Sequence, residues 1–213
     1  MYTLYFSPGS CSLIVNCLLE ELEMPFELRR VDFASKEHQG EAYRKLNPKG
    51  KVPVLVTPEG PLTECMALVE YVCDRHDRER CWLPEPGSWE RARALERIAT
   101  LSTEVHNNLA SRFFHADAYS DDPALQAAVK ASGERALTAF FREEDARLGG
   151  DYWSGNASPD ASDLYFMVVA RWGRWLGDSA LRMPNIERFF RRMTGRPAVA
   201  RAMAREGITP FGT

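Results

Sequence analysis

The hydrophobic pattern changes character about a third of the way along the chain. Residues 2–6 (Tyr-Thr-Leu-Tyr-Phe) are rich in aromatic and β-branched side chains and predict a short strand. Pro8 and Gly9 break the run. Beyond them Leu13, Val15, Cys17, Leu18, Leu19 and Leu22 recur at a spacing a helix can use, and Pro25 ends it. Residues 26–33 partly alternate and predict a second strand. Residues 34–51 are polar and read as a loop with one helical turn near residues 41–46. Residues 52–56 predict a strand with proline near its start, where strands tolerate it. Residues 57–61 read as a turn and Leu62-Thr63 as a very short fourth strand. Thr63 or Glu64 then opens a helix with an apolar stripe of Met66, Leu68, Val69, Tyr71 and Val72.

Residues 81–87 (Cys-Trp-Leu-Pro-Glu-Pro-Gly) form a short linker stiffened by two prolines. The predicted organisation is therefore an α/β domain over residues 1–80, a linker over 81–87 and an all-helical domain over 88–213. In the helical part Ser88 is a plausible N-cap. Trp89, Ala92, Leu95, Ile98, Ser102, Val105 and Leu109 form one predicted stripe, with His106 just off it. Asp122-Pro123 opens a helix that stops at Gly149-Gly150. Asp160-Ala161-Ser162-Asp163 has the layout of a capping box. The continuous apolar run 164–170 behind it predicts a helix buried at the centre of the second domain. Two short helices, over residues 185–193 and 197–206, close the sequence.

With 213 residues and 45% hydrophobic content, the chain can bury a real core. A net charge of −3 argues against a general nucleic-acid binder. No apolar run is long enough to cross a membrane, and the start lacks the pattern of a signal peptide. The five cysteines are odd in number and form no Cys-x-x-Cys, which fits reduced thiols in a cytoplasmic protein better than a disulfide framework. Cys73-x-x-His76 with Cys81 lacks an obvious fourth ligand, so no metal is expected.

The candidate chemistry centres on Ser7-Pro8-Gly9-Ser10-Cys11-Ser12. Cys11 falls where a strand turns into a helix. A thiolate there gains from unpaired backbone N–H groups and from the positive end of the helix dipole. Ser10 or Ser12 can cap the helix and donate to the sulfur. On local sequence alone, a small apolar residue filling the turn reads equally well.

These segments, taken together, resemble the bacterial beta-class glutathione transferases. Ser-Pro-Gly-Ser-Cys-Ser is similar to the N-terminal signature of that class. Residues 47–55 (Asn-Pro-Lys-Gly-Lys-Val-Pro-Val-Leu) match the family's Asn-Pro-x-Gly-x-Val-Pro-x-Leu. Leu62-Thr63-Glu64-Cys65 lies where the family has Leu-x-Glu-Ser, and residues 160–165 match its capping box. The resemblance covers essentially the whole chain. It implies a thioredoxin-like N-terminal domain followed by an all-α C-terminal helical domain. It also implies glutathione as co-substrate, a small hydrophobic electrophile, a role in detoxification, and a homodimer.

The resemblance assigns roles to particular residues. Cys11 lies against the glutathione sulfur, with Ser12 beside it and His106 across from it as the catalytic set. Lys36, Lys51, Val52, Pro53, Glu64 and Cys65 join Cys11 in binding glutathione. Pro53 is expected to be cis, and Val52 to pair with the tripeptide through its backbone. Glu64 and Cys65 meet the γ-glutamyl end, and Lys36 the glycyl carboxylate. Cys65 stands where many relatives have serine, Asn16 where beta-class relatives often have histidine, and Ala99 where some have asparagine. The expected activity is conjugation of glutathione to hydrophobic electrophiles. The alternatives are a glutathione-dependent thiol-disulfide reductase or lyase using Cys11, or a non-catalytic binding protein on the same fold. The aromatic set Phe113, Phe114, Tyr119, Trp172 and Trp175 is a candidate substrate lining that reads equally as core.

Overall fold

The computed structural model describes residues 1–212 and divides the chain into two compact units. Unit 1 comprises Met1–Glu85 together with the chain from Thr194 onward, and unit 2 comprises Pro86–Met193.

Unit 1 is built on a four-stranded mixed sheet in the order β2-β1-β3-β4. Strand β1 is Tyr2–Phe6, β2 Phe26–Arg30, β3 Val54–Thr57 and β4 Gly60–Thr63. β1 runs parallel to β2 and antiparallel to β3, and β3 antiparallel to β4. A parallel neighbour requires a crossover, and helix α1 (Ser12–Glu21) supplies it. Helix α2 (Glu41–Leu46) is the turn expected near residues 41–46, and α3 (Cys65–His76) follows β4. This is the thioredoxin-like arrangement.

The sequence of α1 explains its position. Leu13, Ile14, Val15, Cys17, Leu18 and Leu19 point around the whole helix, and all are fully buried. A helix apolar on every face needs cover on every face. β1 and α3 cover part of it, and the last helix of the chain, α9 (Pro197–Glu206), covers another part.

That last contact differs from the expected 88–213 helical domain, because α9 packs with unit 1. Its Ala198, Val199, Ala202 and Met203 are buried. Arg196 holds Glu21 through contacts of 2.5 and 2.8 Å, and Arg201 holds Glu20 at 3.0 Å. An amphipathic helix goes to whichever apolar face is left uncovered, and chain order does not disclose which face that is.

Unit 2 is all-helical. Helix α4 (Trp89–Thr100) opens on Ser88, whose hydroxyl accepts the Arg91 N–H at 3.1 Å. It continues as a π-helical segment, Leu101–Ala110, and ends in α5 (Ser111–Phe114). The buried positions along it are Arg91, Ala94, Ile98, Leu101, Val105 and Ala110. Their last interval is one residue longer than a regular helix provides, as a π segment requires. The predicted stripe is only partly buried: Ile98 and Val105 are buried, but Trp89 is 73% exposed and Ala92 is exposed, both in α4 ahead of the π-helical segment.

Helix α6 (Pro123–Arg147) starts on Asp122, with proline in its first turn. Helix α7 (Ala161–Trp172) is the buried centre of the unit, with every residue from Ala161 to Arg171 buried. Its N-terminus is a complete capping box, in which Asp160 accepts the Ser162 N–H at 2.8 Å and Asp163 accepts the Asp160 N–H at 2.9 Å. Helix α8 (Pro184–Thr194) carries the fully buried Ile186, Phe189, Phe190 and Met193, with Phe189 against Phe166 of α7.

Candidate active site

Cys11 ends the loop between β1 and α1 and is itself the N-cap of α1. The serines beside it are occupied with each other. Ser10 Oγ accepts the Ser12 N–H at 3.3 Å and lies 2.7 Å from Ser12 Oγ, while the Ser12 hydroxyl donates to the Ser7 carbonyl at 3.2 Å. Ser12 is fully buried and turned to Ser7, not to the sulfur. The Cys11 thiol donates instead to the Val52 carbonyl at 3.5 Å.

The preceding turn is fixed from the far end of the chain. Gly9 has φ 67, and its N–H donates to Glu206 Oε2 at 2.8 Å. Glu206 also accepts from Asn16 Nδ2 at 3.0 Å, so one buried carboxylate joins the loop, α1 and α9. Asn16 Nδ2 donates in addition to the Ala202 carbonyl at 3.2 Å.

Val52 is reached through a loop built on Asn47, which is buried. Asn47 Nδ2 donates to the Lys51 carbonyl at 2.8 Å, and Asn47 Oδ1 accepts the Lys49 N–H at 3.0 Å. The Tyr43 hydroxyl donates to the same Lys51 carbonyl at 2.9 Å, and burial raises its pKa well above the usual tyrosine value. Gly50 has φ 64, and a Cβ there would come within 2.8 Å of the His38 carbonyl oxygen, so the motif needs glycine at this point. The Val52–Pro53 peptide bond is cis. Lys51 is exposed beside it.

Glu64 is the N-cap of α3, at φ 71 and ψ 116. A non-glycine residue held there costs on the order of 1 kcal/mol or more, and such strain concentrates at functional sites. Its carboxylate is exposed and pairs with Lys49 Nζ at 2.8 Å. Cys65 follows as the first residue of α3 and is buried, with its thiol donating to the Cys11 carbonyl at 3.6 Å. The neighbouring Cys11 thiol, burial and the Glu64 charge together hold the Cys65 thiol well above its ordinary value.

Cys11, Ser12, Val52, Pro53, Glu64 and Cys65 thus come together at one end of the sheet, where the N-termini of two helices converge. Lys36 is exposed with φ 61 and opens a short turn over Glu37–Gln39. His106 belongs to unit 2. It lies in the π-helical segment, with Nδ1 3.0 Å from the Tyr165 hydroxyl and its ring 4.8 Å from that of Trp172. Of the aromatic set, Phe113 is buried, whereas Phe114, Tyr119 and Trp175 are exposed. Among the potential metal ligands, Cys73 is fully buried, and His76 Nε2 is engaged by the Tyr2 hydroxyl at 2.8 Å.

Sequence reasoning missed Lys49, Tyr43 and Glu206. Lys49 sits inside the quoted Asn-Pro-Lys-Gly motif, which was a usable signal. Glu206 is 197 residues from the glycine it holds, and no local pattern marks it.

The family pattern described as "Glutathione S-transferase, N-terminal domain" matches residues 1–74. Glutathione S-transferase GstA of Escherichia coli O157:H7 is 30% identical over 208 residues, covering 96% of this chain and 98% of that protein. A sphingomonad glutathione S-transferase solved in complex with glutathione is 32% identical, with a TM-score of 0.78, covering 97% of this chain and 100% of that one. A bacterial beta-class enzyme from Sphingomonas chungbukensis is 28% identical, with a TM-score of 0.80, covering 97% and 100%. The chain that carries the strand–turn–helix bearing Cys11, the cis-proline loop and the strained start of α3 is related to these proteins along nearly its full length: it belongs to the glutathione S-transferase family.

Proposed function

We propose that this protein conjugates reduced glutathione to small hydrophobic electrophiles. The observation that carries this reading is the convergence of the α1 and α3 N-termini on Cys11, beside the backbone of Val52. Unit 1 receives the tripeptide. The Val52 backbone pairs with its cysteinyl unit. The N-terminus of α3 takes the γ-glutamyl carboxylate through its free N–H groups, and Glu64 takes the ammonium. The glycyl carboxylate falls to the cationic side chains of Lys36 and Lys51.

The glutathione sulfur then lies against Cys11 at the start of α1. Backbone N–H groups and the helix dipole favour its thiolate over the thiol. The thiolate attacks the electrophilic carbon, a carbon–sulfur bond forms, and the halide or other leaving group departs with its electron pair. The thiol proton passes to solvent. Cys11 supports the sulfur and need not attack, while Ser12 holds the turn through Ser7 and Ser10. The electrophile site belongs to unit 2, with His106, held by Tyr165 and Trp172, as its polar group. Holding both reactants in line supplies much of the rate. We further expect a cytoplasmic homodimer. Among the described residues, no helix is long and apolar enough to cross a membrane.

The test is isothermal titration with reduced glutathione on wild type and Cys11→Ala, alongside conjugation of an activated aryl halide. Binding by both proteins, with turnover reduced but present in Cys11→Ala, is expected. Absence of binding by wild type would overturn the reading. Complete loss of turnover in Cys11→Ala, with binding intact, would make Cys11 itself the reacting sulfur.

A further inference from the structure

We infer that Cys11 and Cys65 are a reactive dithiol, in which Cys65 resolves a mixed disulfide between Cys11 and glutathione and so gives the site a disulfide-reducing activity. This rests on the glutathione-binding reading above and extends it to a different class of substrate, the disulfide.

Three features of the structure support it. The first is proximity. The Cys65 thiol is 3.6 Å from the carbonyl oxygen of Cys11, although the two residues are 54 positions apart in sequence. The second is placement at helix starts. Cys11 is the N-cap of α1 and Cys65 the first residue of α3, so the starts of two helices bring the two residues together. The third is the protection of the pair. Cys11 is 8% exposed and Cys65 9%, so both thiols are largely shielded from bulk solvent.

The remaining cysteines do not offer such a pair. Cys17 and Cys73 are fully buried, Cys17 is further held as a thiol by burial and by the Glu206 charge, and Cys81 is exposed on the linker.

The chemistry balances with glutathione disulfide as the oxidant. The Cys11 thiolate attacks one sulfur of the disulfide. A Cys11–glutathione bond forms, the original sulfur–sulfur bond breaks, and one glutathione leaves as thiolate. The Cys65 thiolate then attacks Cys11 Sγ, forms the Cys11–Cys65 bond and expels the second glutathione. The dithiol is oxidised by two electrons, glutathione disulfide is reduced to two thiols, and the two cysteine protons end on the two glutathiones. Reduced glutathione reverses both steps.

In the resting site the Cys65 thiol stays protonated, chiefly because of the adjacent Cys11 thiol and burial. Capping Cys11 as a disulfide removes the first of these causes. Cys65 therefore becomes easier to ionise at the moment its partner becomes the electrophile. To form the bond, the Cys65 sulfur, which now lies on the Cys11 carbonyl, turns to Cys11 Sγ.

The experiment uses the full chain in a Cys81→Ser background, to remove the exposed thiol. Wild-type pair, Cys65→Ser and Cys11→Ser are exposed to glutathione disulfide, acid-quenched, and read by intact mass and peptide mapping. The parent is expected to lose two hydrogens and yield a linked peptide containing Cys11 and Cys65. Cys65→Ser is expected to stall with one glutathionyl group on Cys11, and Cys11→Ser to take none. A parent that keeps the glutathionyl group to the same extent as Cys65→Ser, with no linked peptide, overturns the inference. Titration of the parent with reduced glutathione runs in parallel. Binding without the linked peptide rejects the dithiol alone, whereas no binding rejects the glutathione reading on which it rests. Serine is nearly isosteric with cysteine; should Cys65→Ser fail to fold, release of the second glutathione by the parent, followed in time, reads the same resolving step.

Discussion

Removing the Glu206 carboxylate should loosen the loop that carries Cys11, at a cost that can be worked out. Glu206 is 5% exposed and accepts from the Gly9 N–H at 2.8 Å and from Asn16 Nδ2 at 3.0 Å. In Glu206→Ala both donors lose this acceptor. Asn16 keeps its bond to the Ala202 carbonyl at 3.2 Å. A buried donor stripped of its partner costs about 1–3 kcal/mol, and bonds to a charged acceptor lie toward the upper end. The sum is about 3 kcal/mol or more, which corresponds to a fall in melting temperature of roughly 6–12 °C for a chain of this size. Glu206→Gln keeps one acceptor but turns an amide N–H toward the other donor, so it should cost about half as much. The assay is urea unfolding followed by circular dichroism, with Asn16→Ala and the double variant completing a cycle. The shared bond predicts a coupling of about 0.5–3 kcal/mol between Asn16 and Glu206. Glutathione affinity should fall with stability in Glu206→Ala, because Gly9 precedes Cys11 in the same turn. A loss below about 0.5 kcal/mol, or additive single and double variants, would refute the idea that this carboxylate ties the three segments together.

Two further predictions concern other parts of the molecule. Burial and the neighbouring Asp160 charge raise the Asp163 carboxyl from 3.8 to about 6. Between those values the native state keeps a proton that the unfolded chain has released, so stability from this group is complete below the lower value and is lost as pH rises through the upper one. The difference is on the order of 3 kcal/mol. The stability of wild type minus that of Asp163→Asn, from urea titrations at about pH 4 and about pH 7, should therefore decline with rising pH, and a flat difference would contradict the assignment. Gly50→Ala must adopt φ 64 and push its Cβ to within 2.8 Å of the His38 carbonyl oxygen. It should cost about 2–4 kcal/mol and weaken glutathione binding in titration calorimetry; a fully stable variant with normal binding would show that the loop before Val52 tolerates movement.

Much of the fold could be read along the chain because its signals are local. Proline and glycine punctuate β1 from α1, Asp122-Pro123 and the residues at 160–163 announce their helices, and the apolar run 164–170 can only be a buried segment. Two features depend on signals that are not local. The π-helical segment at Leu101–Ala110 inserts a residue into the register and moves the buried position from Leu109 to Ala110, whereas periodicity assumes a constant turn. The last helix stands beside other helices in sequence, yet it packs on the side of α1 that β1 and α3 leave bare.

The candidate site divides in the same way. The sequence by itself determined which residue types stand at the strand-to-helix turn, before the cis-proline and at the start of α3, because short motifs dictate backbone geometry. Only the tertiary structure decided that the Cys65 thiol touches the Cys11 carbonyl, that Lys49 pairs with Glu64, and that Glu206 holds Gly9 from the other end of the chain. These are pairings of polar groups across long loops. Each is selected by the need to satisfy a buried or charged atom with whatever donor the packing of apolar faces brings near, and no spacing along the chain encodes that.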